Sequence, residues 1–138
     1  MTREAHPAPT PLTRDVAGLA ALFITSGTTH LAQPQVFEPL MPKSLPNHRA
    51  WIYASGVAEL VCAAGLLHPR TRRAAGYASA ALLVAIFPGN IEMSARHARR
   101  AGRRQDAGSR AAFAATLARL PLQLPLIRTA LKAAGRVS

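Results

Sequence analysis

The sequence predicts an all-α protein, an integral membrane four-helix up-and-down bundle with a proline-rich interfacial segment after the first helix. Four apolar stretches predict this fold, because each is about as long as a helix needs to cross the ~30 Å hydrocarbon core at ~1.5 Å per residue. Charges are sparse within the stretches, whereas basic residues collect in the connectors and termini. The four stretches are 16–32, 50–67, 74–91 and 111–131.

Composition alone also fits a soluble, basic helical bundle. Hydrophobic residues make up 49% of the chain, but alanine contributes heavily and the mean hydropathy is only +0.10. A soluble bundle would show a polar face on every helix, recurring with a ~3.6-residue period. The stretch 74–91 shows no such face. The pattern therefore favours a membrane protein, and one domain is expected at this length.

The first helix is predicted at about 13–33, because it follows Pro11 and must end before Pro34. The segment before it is polar and rich in proline, which predicts a disordered tail over 1–12. The connector 33–49 contains several prolines together with apolar side chains, so it cannot form a long helix and resists exposure to water. A short amphipathic element in the membrane interface fits both features.

The second and third helices are predicted at about 50–67 and 74–94. The turn between them is short, so the two helices should be antiparallel neighbours. Trp51 and Tyr53 lie at the start of the second helix, where aromatic side chains favour the membrane interface. Pro88 should bend the last turns of the third helix.

A hydrophilic connector over about 96–110 precedes the fourth helix, predicted at about 111–131. This helix contains two prolines four residues apart and should be kinked. A single four-helix domain therefore covers 13–131, and a basic tail over 132–138 follows it.

The chain carries 17 basic and 6 acidic residues, a formal net charge of +11. Nucleic-acid-binding domains share such an excess. Here, however, the arginines lie in short connectors without interleaved aromatic residues that could stack on bases. We therefore expect no nucleic-acid partner and expect the basic connectors to meet anionic lipid headgroups. The basic residues divide evenly between the two faces of the predicted bundle, so the positive-inside rule assigns no orientation.

No motif in the sequence predicts catalysis or a metal site. The single cysteine, Cys62, cannot form an internal disulfide or a two-thiol active site, and it fits a small buried residue. The sequence has no phosphate-binding loop, no metal-ligand spacing and no nucleophile motif. We expect no catalytic residues and no metal, and we do not expect the chain to be an enzyme on its own. A role as an oxidoreductase subunit stays compatible with these features.

Three charges interrupt the apolar stretches: Glu59 in the second, Arg119 near the middle of the fourth and Arg128 near its end. We call the side of the bundle that holds the first and third connectors the connector face. Counting along the predicted helices places Glu59 roughly 13 Å and Arg119 roughly 12 Å from that face. An isolated charge at such depth costs at least ~2.5–3.5 kcal/mol, and pairing would offset much of this cost. The same count places four further polar residues in this half of the bilayer: His30, Asn90, Glu92 and Gln123.

These six residues predict a polar intramembrane pocket that opens toward the connector face. The alternative is an ion pair between Glu59 and Arg119 that only fixes helix packing. His30 also fits a hydrogen-bonded residue at a helix end, and Asn90 fits a cap for carbonyls freed by Pro88. The residues themselves leave these alternatives open.

Several short motifs resemble the DoxX-like family of small four-helix membrane proteins in their order and spacing over residues 27–123. The motifs are Gly-Thr-Thr-His at 27–30, Phe-Glu-Pro-Leu-Met-Pro at 37–42, Tyr-Ala-Ser-Gly-Val-Ala-Glu at 53–59, Phe-Pro-Gly-Asn-Ile at 87–91 and Arg-Leu-Pro-Leu-Gln at 119–123. The resemblance implies a multi-pass protein of the bacterial inner membrane.

The resemblance also implies a role in membrane redox work. Members include a subunit of a thiosulfate:quinone oxidoreductase and a component of an oxidoreductase assembly with superoxide dismutase, while related eukaryotic proteins act as receptor-assembly chaperones. We therefore expect an accessory or anchoring subunit of a redox complex, with the lipid bilayer and a redox protein as partners and with a quinone near Glu59 and Arg119. The alternatives are a non-enzymatic chaperone or assembly factor and a small transporter that acts as a homo-oligomer.

Overall fold

The computed structural model describes residues 8–138, so residues 1–7 of the predicted disordered tail lie outside the described residues. Within 8–138 the chain is helical and contains no strand, which confirms the all-α fold class. Two short 3₁₀ turns, Pro34–Val36 and Glu38–Leu40, form the proline-rich segment. The four α-helices are α1 (Arg14–Ala32), α2 (His48–Leu67), α3 (Arg72–Arg104) and α4 (Ala107–Ala133).

The four helices are arranged in a ring, in the order α1, α2, α3 and α4. The most extensive contacts join α3 to α4 and α1 to α2, and smaller contacts join α2 to α3 and α1 to α4. The apolar core lies toward the end of the bundle where α1 begins and α4 ends, and it includes Leu19, Phe23, Leu66 and Leu83. An ion pair of 3.1 Å between Lys132 Nζ and Asp15 Oδ2 joins the end of α4 to the start of α1.

The predicted hydrophilic connector over 96–110 is wrong, because α3 continues as a helix to Arg104. Alanine and arginine dominate this part of the chain, and both are strong helix formers even in water. Gln105 ends α3 in a left-handed conformation with φ 53°. The connection to α4 is thereby reduced to Gln105 and Asp106, and α3 and α4 form a long antiparallel hairpin.

Asp106 caps the N-terminus of α4. Its carboxylate accepts hydrogen bonds from the Ser109 backbone N–H at 2.7 Å and from the Ser109 hydroxyl at 3.1 Å. These bonds favour the charged carboxylate and hold the pKa of Asp106 below its usual value. A capping residue of this type satisfies one of the free N–H groups in the first turn. The cap therefore fixes the point at which α4 begins, four residues before the predicted start.

Arg72 holds α2, α3 and the segment before α1 together at the end of the bundle opposite the α3–α4 connection. Its guanidinium is buried, with only 5% of the residue exposed, and it donates to the carbonyl oxygens of Leu66 at 2.6 Å and Leu67 at 3.0 Å. A third bond of 2.6 Å goes to the carbonyl of Thr10, whose hydroxyl donates to Ala133 at 2.8 Å. Thr10 belongs to the segment predicted to be disordered, and these two bonds hold it against α3 and α4.

Two helices, α2 and α3, are long and apolar enough to cross a membrane, and only 33% of the apolar window of each is buried. The hydroxyl-rich end of α1 lowers its hydropathy, and three arginines, one lysine and one glutamine lower that of α4. Pro88 lies inside α3, and Pro121 and Pro125 lie inside α4; each helix continues past its prolines. The kinks expected there stay predictions.

A glycine sets the separation of α3 and α4, and it gives the first test. A Cβ built on Gly76 would lie 2.4 Å from the Ala134 nitrogen and 2.6 Å from the Ala130 oxygen, both backbone atoms that cannot rotate away. We expect Gly76→Ala to lower the free energy of unfolding by about 1–3 kcal/mol, measured by denaturant titration in detergent. The control is Gly102→Ala in the same helix, where no atom lies within 4 Å and stability should hold or rise. Equal effects of the two changes would contradict this account of the contact.

Candidate functional site

Two glycines bring α1 and α2 into close contact beside the candidate site. A Cβ on Gly27 would lie 2.7 Å from the Gly56 oxygen, and a Cβ on Gly56 would lie 2.7 Å from the His30 Cβ. Small residues in both helices predict this close approach, and the structure confirms it. The contact leaves no room for larger side chains and presses His30 of α1 against α2.

Glu59 and His30 form the centre of the site. Glu59 is buried, with 7% of the residue exposed, and its Oε2 lies 3.6 Å from His30 Nδ1. The side chains meet because Cβ atoms tilt toward the N-terminus of their own helix, and α1 and α2 run in opposite directions. His30 therefore leans into the bundle, and Glu59 leans toward the connector face. Each brings its polar atoms to the other.

The hydrogen-bond partner of His30 Nδ1 shows that this ring nitrogen carries a hydrogen. Nδ1 lies 2.7 Å from the Ser26 carbonyl oxygen, which can only accept, so Nδ1 carries a hydrogen and donates it there. At 3.6 Å the Glu59 carboxylate is too distant for a normal hydrogen bond to this nitrogen. Within residues 8–138, Glu59 Oε2 has no hydrogen-bond partner. The site thus holds a buried carboxylate oxygen with unused accepting capacity beside an imidazole.

Phe37 completes this group from the proline-rich segment. Its ring stacks on the His30 ring, with the centroids 3.9 Å apart and the planes inclined by 12°. Sequence reasoning missed this partner, because Phe37 was interpreted only as an apolar residue of the interfacial segment. The stacking joins the polar pair to the segment that covers the end of α1. We call His30, Glu59 and Phe37 the acid–imidazole site.

The predicted pair between Glu59 and Arg119 does not form. Among residues 8–138, no acidic side chain lies within 4.0 Å of the Arg119 guanidinium, and Arg119 is exposed. The corrected register of the hairpin explains this result. Arg119 lies 12 residues after Ala107, opposite Glu92, which lies 12 residues before Arg104. Glu92 lies near the connector-face end of the predicted third helix, so Arg119 lies near that face as well and not roughly 12 Å below it.

The position of α4 in the ring also separates the two charges. Since α4 packs on α3 and α1, it lies across the bundle from α2, which carries Glu59. The Arg119 side chain also tilts toward the N-terminus of α4, which is the connector face. Arg119 and Glu59 therefore form no ion pair within 4.0 Å.

Asn90 and Gln123 form a second polar group between α3 and α4. Both are buried, and Asn90 Nδ2 donates to Gln123 Oε1 over a long 3.5 Å. Gln123 Nε2 in turn donates to the Leu83 carbonyl oxygen. Pro88 lacks an N–H and disturbs the hydrogen bonds of the preceding turn, so a side-chain amide supplies a donor near that turn. This group stabilises the α3–α4 contact.

The six predicted pocket residues therefore do not line one pocket. His30 and Glu59 meet between α1 and α2, and Asn90 and Gln123 meet between α3 and α4. Glu92 and Arg119 are exposed. The described part of the chain holds no group of three side chains suited to a metal ion. The acid–imidazole site is the group with chemical capability, because a carboxylate and an imidazole can hold and exchange a proton.

Comparison with known proteins places the chain in a family. The model of a domain of unknown function, DUF8561, matches residues 19–134, and the chain belongs to this family. The match covers all of α2, α3 and α4, most of α1, and the acid–imidazole site. No curated protein and no solved structure matches the chain. The family assignment therefore brings no activity with it.

Double-mutant cycles test which charge is the partner of Glu59. We expect the effects of Glu59→Gln and His30→Gln on the free energy of unfolding to be non-additive by about 0.5–3 kcal/mol, because the two side chains touch. The effects of Glu59→Gln and Arg119→Gln should add within about 0.5 kcal/mol, because those residues share no contact. Both cycles can be measured by denaturant titration in detergent. A larger coupling to Arg119 than to His30 would contradict the structure.

Proposed function

We propose that this protein is a multi-pass integral membrane protein whose four helices all cross the bilayer. We further propose that it serves as an accessory or anchoring subunit of a quinone-linked membrane redox complex. The observation that carries the first part is the distribution of polarity, which is the reverse of that in a soluble bundle. The second part depends on the acid–imidazole site and on the resemblance to DoxX-like proteins.

Polar side chains face the interior of the bundle, and large apolar ones face outward. Glu59, Ser79 and Gln123 are buried, whereas Val61 is 66% exposed and Leu124 is 71% exposed. In water this arrangement would cost free energy at both places, because polar burial and apolar exposure are each unfavourable. In lipid the outward apolar side chains are solvated, and the polar side chains inside the bundle are kept away from the acyl chains.

The outer surfaces of α1 and α4, the two less apolar helices, also support a lipid environment. Leu22 and Ile24 are exposed on α1, and Leu117 and Leu122 are exposed on α4. Their polar residues Ser26, on α1, and Gln123, on α4, are turned toward the acid–imidazole site and the α3–α4 contact respectively. A span can tolerate such residues when they face protein rather than lipid. All four helices therefore fit a transmembrane bundle.

The acid–imidazole site supports the redox proposal. Quinone reduction consumes two electrons and two protons, so a protein at a quinone needs a group that exchanges protons within an apolar environment. Glu59 and His30 supply a carboxylate and an imidazole 3.6 Å apart near the end of α1. The proposal assigns electron transfer to the partner protein. This chain supplies the membrane anchor and the proton-exchanging pair.

Cysteine labelling tests the membrane arrangement. We expect a maleimide that cannot cross lipid to label Arg99→Cys but not Val61→Cys in opened membrane vesicles, each in a Cys62→Ala background. Both positions are exposed on the protein itself, so only a surrounding bilayer distinguishes them. Denaturation of the protein in sodium dodecyl sulfate with urea should make position 61 reactive and provides the control. Labelling of Val61→Cys in intact membranes, or recovery of the protein in the soluble fraction, would overturn the proposal.

Native purification tests the redox role. We expect the full chain, extracted in mild detergent, to bring down an oxidoreductase and quinone that mass spectrometry detects, and we expect Glu59→Gln to reduce quinone retention. Glu38→Gln is the matched control, because Glu38 lies at the surface and pairs with Arg49. Recovery of a folding client instead would favour a chaperone. Ion flux through liposomes that contain the protein alone would favour a transporter, and either result would contradict the accessory role.

A further inference from the structure

A cleft of about 710 Å³ opens on the connector face, away from the acid–imidazole site. The proline-rich segment forms one wall, with Pro39, Lys43 and Ser44, and the last third of α3 forms the other. Arg96 holds the walls together, because its guanidinium donates to the Met41 carbonyl oxygen. We call this space the basic cleft. The cleft arises because α3 continues as a helix beyond its apolar part.

Positive charge dominates the basic cleft. Among its lining residues Glu92 is the single acid, against six basic side chains: Lys43, Arg96, Arg99, Arg100, Arg103 and Arg104. Within residues 8–138, none of these six has a carboxylate within 4.0 Å. Like charges held together at this density repel one another. The cleft therefore favours a bound anion that is not part of the described chain.

Helical spacing directs several of these arginines to one side. Arg96, Arg99, Arg100 and Arg103 follow the i, i+3, i+4, i+7 pattern, which lines one face of a helix. The bond from Arg96 to Met41 fixes that face toward the proline-rich segment. Guanidinium groups match phosphate oxygens with paired hydrogen bonds, and lysine adds a point charge. The chemistry of the cleft thus matches a phosphate-bearing group.

The position of the cleft selects a membrane lipid as the source of that phosphate. The arginines begin soon after the apolar part of α3: Arg96 lies about 6 Å beyond Glu92 along the helix, and Arg99 and Arg100 lie about 11–12 Å beyond it. Their long side chains tilt back toward the N-terminus of α3 and hence toward the bilayer. The headgroup layer on each side of the hydrocarbon core is about 5–8 Å thick. Lys43 approaches the same level from the interfacial segment. We infer that the basic cleft binds the phosphate headgroup of an anionic phospholipid, an inference that depends on the proposed transmembrane arrangement.

Lipid binding by two charge-matched triple variants tests this inference. Arg99→Gln, Arg100→Gln and Arg103→Gln together remove three charges from the cleft. The control combines Arg14→Gln, Arg70→Gln and Arg128→Gln, which removes three exposed arginines outside the cleft. Binding of phosphatidylglycerol and of phosphatidylcholine to the full chain in detergent can be measured by native mass spectrometry. Thermal unfolding of both variants checks that they remain folded.

We expect the wild type and the control to prefer phosphatidylglycerol to phosphatidylcholine. The cleft variant should bind phosphatidylglycerol more weakly by on the order of a hundredfold, because each of the three basic residues contributes about 1 kcal/mol. Unchanged binding by a folded cleft variant would overturn the inference. Competition by inorganic pyrophosphate, with no preference among lipids, would show a site for soluble phosphates and would also overturn it. If Val61→Cys is labelled in membranes but cleft-dependent phosphatidylglycerol binding persists, the transmembrane proposal fails while the headgroup site stands.

Discussion

Burial of the Glu59 carboxylate is the constraint on which the α1–α2 half of the molecule depends. A carboxylate that is 7% exposed among apolar helices is costly unless a compatible group lies beside it. His30 Nδ1 lies 3.6 Å from this carboxyl group, beyond a normal hydrogen bond, and it comes this near because Gly27 and Gly56 let α1 and α2 approach closely. Phe37 then stacks on His30 and fixes the proline-rich segment over the helix end. One buried acidic side chain thus links helix spacing, the interfacial segment and the candidate chemistry.

The α3–α4 hairpin shows where prediction from the sequence succeeded and where it failed. Apolar stretches located all four helices, and close packing of small residues was evident at Gly27 and Gly56. The end of α3 was missed because a basic segment resembles a solvated loop, although arginine and alanine are good helix formers. That error moved the start of α4 from Ala107 to 111 and misplaced Arg119. A depth count is only as accurate as the helix ends from which it starts.

The site itself was predictable in part. Its polar residues stood out because they interrupt apolar stretches, and the structure places His30 and Glu59 between α1 and α2 and Asn90 and Gln123 between α3 and α4. The sequence could not show which helix faces which, so it assigned Glu59 a partner on α4 rather than α1. Arg72 was missed for a related reason. It lies among other arginines in a turn, and only the folded chain reveals that it alone reaches the carbonyls of Leu66 and Leu67.

The acid–imidazole site and the basic cleft differ in how far they are enclosed by the bundle. The acid–imidazole site is largely enclosed, and its His30 and Glu59 side chains are only 14% and 9% exposed. The basic cleft is open, and its arginines lie on a helical extension with no acidic partners within the described chain. A headgroup bound there would contact both α3 and the proline-rich segment, which also carries Phe37. Because Phe37 stacks on His30 and Pro39 lines the cleft, one short segment contacts both the acid–imidazole site and the basic cleft.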